Sequence, residues 1–126
     1  MTVEGLGFLN ESFESLGIPY EFMEWTDETI PDTYFVGQYT ETASLDEDGQ
    51  IESDFFLTGT TKNKYLELEK VKEQIREYFG SDGLTEILPC GTGIAVAYDL
   101  AYPIPSIEEG IHRIQITLKV KEWSVK

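Results

Sequence analysis

A chain of 126 residues, 40% hydrophobic and 13% aromatic, has the size and composition of one folded domain, 1–126, and too many aromatics for a disordered acidic tail. Its net charge of −15 is lopsided: residues 1–61 hold fourteen Asp and Glu without a single Lys or Arg, while residues 62–126 hold ten acids and all nine bases. An acidic first half repels phosphate backbones, which excludes DNA wrapping or reading there, because tight nucleic-acid binding needs cations to displace counterions. The single cysteine, Cys90, excludes an intrachain disulfide and suits a reducing cytoplasm. With no apolar run of about 18 residues and no positively charged start, the expectation is a soluble protein with no membrane partner.

Leu6, Leu9, Phe13 and Leu16 recur at helical spacing and predict an amphipathic helix over 3–16, capped by Thr2 and ended by Gly17 and Pro19. Ile18–Trp25 reads as a strand or an extended arm, and 26–32 as a loop. Thr33–Ala43 is rich in Thr, Tyr, Phe and Val, and Ile51–Thr61 is its partner across a hairpin marked by Asp48-Gly49. Lys64–Phe79 is the clearest helix, with Leu68, Val71, Ile75 and Tyr78 or Phe79 inward and Glu67/Lys70, Glu69/Lys72 and Glu73/Arg76 outward.

Two further strands follow. In the first, Ile94, Val96, Tyr98, Leu100 and Tyr102 share one face, and Pro103 and Pro105 stop it. In the last, Ile114, Ile116, Leu118 and Val120 alternate with Arg113, Gln115, Thr117, Lys119 and Lys121, a half-exposed strand with a basic outer face. The order α-β-β-α-β-β predicts an α+β domain with an antiparallel sheet of about four strands covered on one face by helices.

Chemistry is poorly served. Asp46-Glu47-Asp48-Gly49 resembles the middle of a calcium loop, but the first ligand position falls on Ser44 and the bidentate position on Phe55, so a plain acidic hairpin tip is expected. One His and one Cys make no zinc set. His112 reads as a solvated residue on the polar face of the last strand, and Cys90 as a half-buried structural thiol rather than a nucleophile. Gly91-Thr92-Gly93 is too short for a phosphate loop and lacks its Lys. Carboxylate pairs for glycoside chemistry stay open, but 24 acids always supply some pair, so they discriminate nothing. No catalytic residue, metal or cofactor is expected, and enzyme is the unfavoured class. The aromatics Tyr20, Phe22, Trp25, Tyr34, Phe35 and Tyr39 read either as core or as anchors of an interface.

Three stretches are familiar: Tyr34–Tyr39 with the acidic hairpin and the Thr58-Gly59-Thr60 strand after it, then Ala97–Pro105, then Arg113–Trp123. Together they resemble small tail proteins of long-tailed phages and prophages of Gram-positive bacteria, and within that group the tail terminator or tail-to-head joining proteins. The resemblance implies a ring, a hexamer, seated on the head-proximal end of the tail tube. Such a ring ends tube polymerisation and meets the head connector. It implies tube and connector proteins as partners, assembly in the host cytoplasm, residence in the virion tail, and DNA passing through the lumen without specific binding. That group carries no catalytic residues.

An acidic lumen would let DNA slide without sticking. A closed head-to-tail ring needs two unlike surfaces. The acidic half, including Asp46, Glu47 and Asp48, and the basic face at Arg113, Lys119 and Lys121 are candidates for that pair, the bland reading being a solvated strand face. The competing reading is an acidic DNA mimic that occupies a basic partner in a salt-dependent way.

Overall fold

The computed structural model describes residues 1–43 and 49–124. It contains two helices, α1 (Val3–Ser15) and α2 (Tyr65–Phe79), and six strands: β1 (Tyr20–Phe22), β2 (Thr33–Ala43), β3 (Ile51–Lys62), β4 (Leu84–Ile87), β5 (Thr92–Ile104) and β6 (Ile111–Ser124). The strands form one sheet in the order β1-β2-β3-β6-β5-β4. All neighbours are antiparallel except β1, which runs parallel to β2.

This corrects the expected four-stranded antiparallel sheet in the order α-β-β-α-β-β. The four central strands match the expected ones; the two strands beyond the expected four are the edges, β1 falling inside Ile18–Trp25, which reads as a strand or an extended arm, and β4 being wholly unexpected. β1 has three residues and β4 four, too short for a period-2 pattern to declare itself. Adding β1 beside β2 is also what makes the sheet mixed.

One face of the sheet carries the core. Phe35 from β2, Phe55 and Leu57 from β3, Ile94 and Val96 from β5, and Ile114, Ile116, Leu118 and Val120 from β6 are all buried. Leu9 and Phe13 of α1 and Leu68, Ile75 and Phe79 of α2 pack onto them. The Phe13 ring lies 4.8 Å from Tyr20, 6.0 Å from Phe55 and 6.4 Å from Phe79, joining both helices to the sheet through one aromatic knot. Burial there pushes the Tyr20 hydroxyl up to about 12. Truncating Phe55 to Ala would cost about 3–5 kcal/mol.

The helix ends follow their local chemistry. The Gly5 N–H donates to the Thr2 hydroxyl at 2.9 Å, capping α1, and Gly80 closes α2 at φ +72°. Gly5 looks like a flaw in α1, but it faces the buried carboxylate of Glu122, which occupies the space of any side chain there. The Thr2 N–H donates to both Glu122 oxygens at 3.1 Å, and its hydroxyl donates to Glu122 as well. An anion at a helix N-terminus is favourable, so Glu122 ties α1 to the end of β6.

β5 departs from the expected pattern twice. A register shift between Tyr98 and Leu100 moves Leu100 and Tyr102 to the face opposite Ile94, Val96 and Tyr98, where they are 46% and 45% exposed, and turns Ala101 toward the core instead. The strand also runs through Pro103 to Ile104 rather than stopping there. β4 pairs with β5 only as far as Val96, so Pro103 lies where β5 has a single neighbour and a missing N–H is tolerated.

Candidate interaction surface

The second face of the sheet bears neither helix. Its side chains form cross-strand rows read from the register of β2, β3, β6 and β5. At one end the row is Tyr34, Thr60, Arg113 and Ile104. The next two are Val36, Thr58, Gln115 and Tyr102, and Gln38, Phe56, Thr117 and Leu100. The last two are Thr40, Asp54, Lys119 and Ala97, then Thr42, Glu52, Lys121 and Ala95. A neutral centre of Thr, Gln and large apolar groups thus separates two charged ends, a mixture common at protein interfaces.

The candidate residues fall at both ends. Asp46, Glu47 and Asp48 lie outside the described residues. Lys119 and Lys121 lie on the open face, but neither is a free cation. Register sets Lys119 opposite Asp54 and Lys121 opposite Glu52, at 2.7 and 3.9 Å. The Asp54 hydrogen bond holds the Lys119 amine above its ordinary range. Arg113 is six residues from Lys119, ~20 Å along an extended strand. The expected basic face is therefore two separate places, one of them neutralised in cis.

At the Arg113 end, the loops before β2 and before β6 frame a cleft of about 360 Å³, lined by Ile30, Pro31, Asp32, Tyr34, Thr60, Thr61, Lys62, Glu108, Ile111 and Arg113. Its walls are anchored. The Lys62 N–H donates to the Asp32 carbonyl at 3.0 Å and the Asn63 N–H to the Gly110 carbonyl at 2.8 Å. The Ser106 hydroxyl bonds the Glu108 carbonyl at 2.6 Å and also that of Ile111, and Lys64 pairs with Asp32 at 3.3 Å. Asn63 adopts φ +59° and Gly110 φ +80°, a tight junction between the end of β3 and the loop into β6. Lys62 escapes notice in the sequence because nothing in its neighbours there signals Arg113, 51 positions away; only the β3–β6 register places Lys62 at that end of the ladder.

The remaining candidates disperse. His112 is not on the solvated face: it opposes Thr61 and meets the Tyr65 ring edge-on at 5.8 Å. Cys90 is exposed in the turn before β5 rather than half-buried. Of the aromatics, Phe35 is buried and Tyr20 and Tyr39 pack against the core, while Trp25 leans on Tyr34 at 5.5 Å and Phe22 stacks on Tyr39 at 6.1 Å. Among the described residues no group of three or more His, Cys, Asp or Glu is arranged to hold a metal ion. Among them, too, no helix is long and apolar enough to cross a membrane. No known protein family matches this chain, and no curated protein sequence is significantly similar to it.

Proposed function

We propose that this chain is a structural subunit that assembles with copies of itself into a ring at the head-proximal end of a phage tail, ending tube growth and joining the tail to the head connector. The observation that carries the reading is the helix-free face of the sheet. It presents Val36, Phe56, Leu100 and Tyr102 among Thr and Gln side chains, with charged groups at both ends. A chain that buries one sheet face under helices and leaves apolar groups on the other has a surface suited to another protein. The segments that resemble tail terminators, Tyr34–Tyr39, Thr58–Thr60, Ala97–Pro105 and Arg113–Trp123, fall on β2, β3, β5 and β6, the four strands that build this face.

The charge distribution favours the same role. Glu4, Glu11 and Glu14 are exposed along α1 with no cation at ion-pair distance among the described residues, so copies can display acid towards passing DNA. That acidic helix is also the one feature favouring a DNA mimic. Negative-stain microscopy of particles from the phage with this gene deleted separates the readings. Overlong headless tails are the outcome expected of a terminator, and normal tails lying beside filled heads that of a joining protein. Intact virions would sink both tail roles and leave the mimic.

A further inference from the structure

Each outer edge of the sheet is only partly covered by its short edge strand. Among the described residues, β4 pairs with β5 from Gly93 to Val96 and leaves 97–104 with β6 alone. On the other side β1 pairs with β2 from Phe35 to Gly37 and leaves 38–43 with β3 alone. The β5 stretch is blunted: the Tyr98 N–H donates to the Gly80 carbonyl at 2.9 Å, the ladder shifts register after Tyr98, and Pro103 has no N–H. The β2 stretch contains neither proline nor register shift, and Gln38, Thr40, Glu41 and Thr42 are exposed. Backbone direction decides what it offers. The Phe35 N–H donates to the Pro19 carbonyl and the Gly37 carbonyl accepts from the Met23 N–H, both at 2.8 Å, so odd-numbered residues of β2 turn their peptide groups outward. Tyr39 and Glu41 therefore present N–H and C=O groups to the open edge. The chain leaves that edge abruptly. The Glu24 N–H donates back to the Phe22 carbonyl at 2.9 Å across Met23 at φ +72°, a γ-turn of the strained hand. Such strain clusters at functional sites, and here it keeps the edge of β2 clear.

We propose that the edge formed by residues 38–42 takes up an extended, basic segment of another protein as an added strand. Charge selects this occupant. Every charged side chain on β1, β2 and the loop between them is acidic: Glu21, Glu24, Asp27, Glu28, Asp32 and Glu41. The cations nearby are engaged. The Met1 amino group meets Glu41, Lys64 pairs with Asp32, and Lys119 and Lys121, beyond β3, pair with Asp54 and Glu52. Glu24 stands next to Met23, at the start of the open stretch, exposed and with no cation at ion-pair distance among the described residues. The same edge of a second copy would bring like charge to like in chains of net charge −15, and a second copy's β5 edge is blunted. The backbone ladder supplies affinity, and the surrounding carboxylates supply the preference for Lys and Arg.

This contact does not depend on the ring. The test titrates the full chain with a short peptide alternating Val and Lys, read by calorimetry and by amide hydrogen exchange. The expected result is binding that weakens with salt, with new protection at the Tyr39 and Glu41 amides. Glu41→Pro removes an N–H that faces away from β3, so the fold should survive, as thermal melting verifies, while binding weakens at least about tenfold. Glu41→Gln keeps that N–H and should stay within a few-fold of wild type. A peptide of the same charge, N-methylated at successive central residues so that neither of its edges can pair, tests the ladder with the protein unchanged and should lose binding. No binding of the Val–Lys peptide overturns the proposal, as does protection that maps to another surface. Equal binding of the N-methylated peptide also overturns it, because the attraction would then be charge alone. Equal binding of a Val–Glu peptide would overturn the basic occupant. Concentration-dependent protection of Tyr39 and Glu41 in the chain alone would overturn it in favour of a second copy.

Discussion

The two ends of the β3–β6 ladder use the same strands and similar residue types, yet they behave oppositely. Near Ile51, Asp54 and Glu52 face Lys119 and Lys121, and Glu122 is buried against α1, so charge is satisfied within the subunit. Near Lys62, Thr60 faces Arg113 instead, and a neutral partner leaves the cation available. One cross-strand neighbour decides whether a basic residue serves the fold or a partner. A basic face read from alternation alone therefore overstates what the surface offers.

The sharpest way to break this contrast is at Glu122. Glu122→Ala should lower stability by about 2–3 kcal/mol, because the Thr2 donors lose a charged acceptor; urea denaturation measures it, and a loss near zero would remove the anchored character of that end. At the opposite end, Gly110→Ala places a side chain at φ +80° and against the Asn63 amide. Its cost should be about 1–2 kcal/mol by urea denaturation; an unchanged midpoint would mean that the junction with Asn63 yields freely.

Tyr20 sharpens the contrast from the middle, where neither end dominates. Its hydroxyl, raised to about 12 against an ordinary 10, favours the neutral form in the folded state. That stabilisation is fully present below pH ~10 and is lost as pH rises towards ~12. Melting followed over this range should fall more steeply for wild type than for Tyr20→Phe, and parallel curves would mean the hydroxyl is not buried. The smallest effect is expected from Lys119→Ala with Lys121→Ala, exposed pairs whose loss should leave melting nearly unchanged. A large fall would make these pairs part of what holds this end together.

Much of the architecture is legible without coordinates. The stripes Leu9/Phe13 and Leu68/Ile75/Phe79 and the alternation Ile114–Val120 declare elements whose periods, 3.6 and 2, arise from backbone geometry alone. The cap at Thr2 and the stop at Gly80 are equally local. β4 is not legible and β1 only as one of two options for Ile18–Trp25, since three or four residues hold too few turns of any period, and they become strands only because a long neighbour offers its open edge. Nor is the reversal of Leu100 and Tyr102, because the register shift after Tyr98 is a property of pairing with β6.

The candidate surface divides in the same way. Residue type marks Arg113, Lys119 and Lys121 as outward and basic, because side chains alternate along any strand. Which of them is already neutralised depends on Asp54, Glu52 and Thr60, more than fifty positions away and brought opposite only by register. The sequence by itself determined the charge imbalance, the two helices and the central strands, all set by composition and local period. Tertiary structure alone decided the edges, the buried Glu122 against Gly5 and the meeting of Lys62 with Arg113, because each depends on a partner that only long-range pairing supplies.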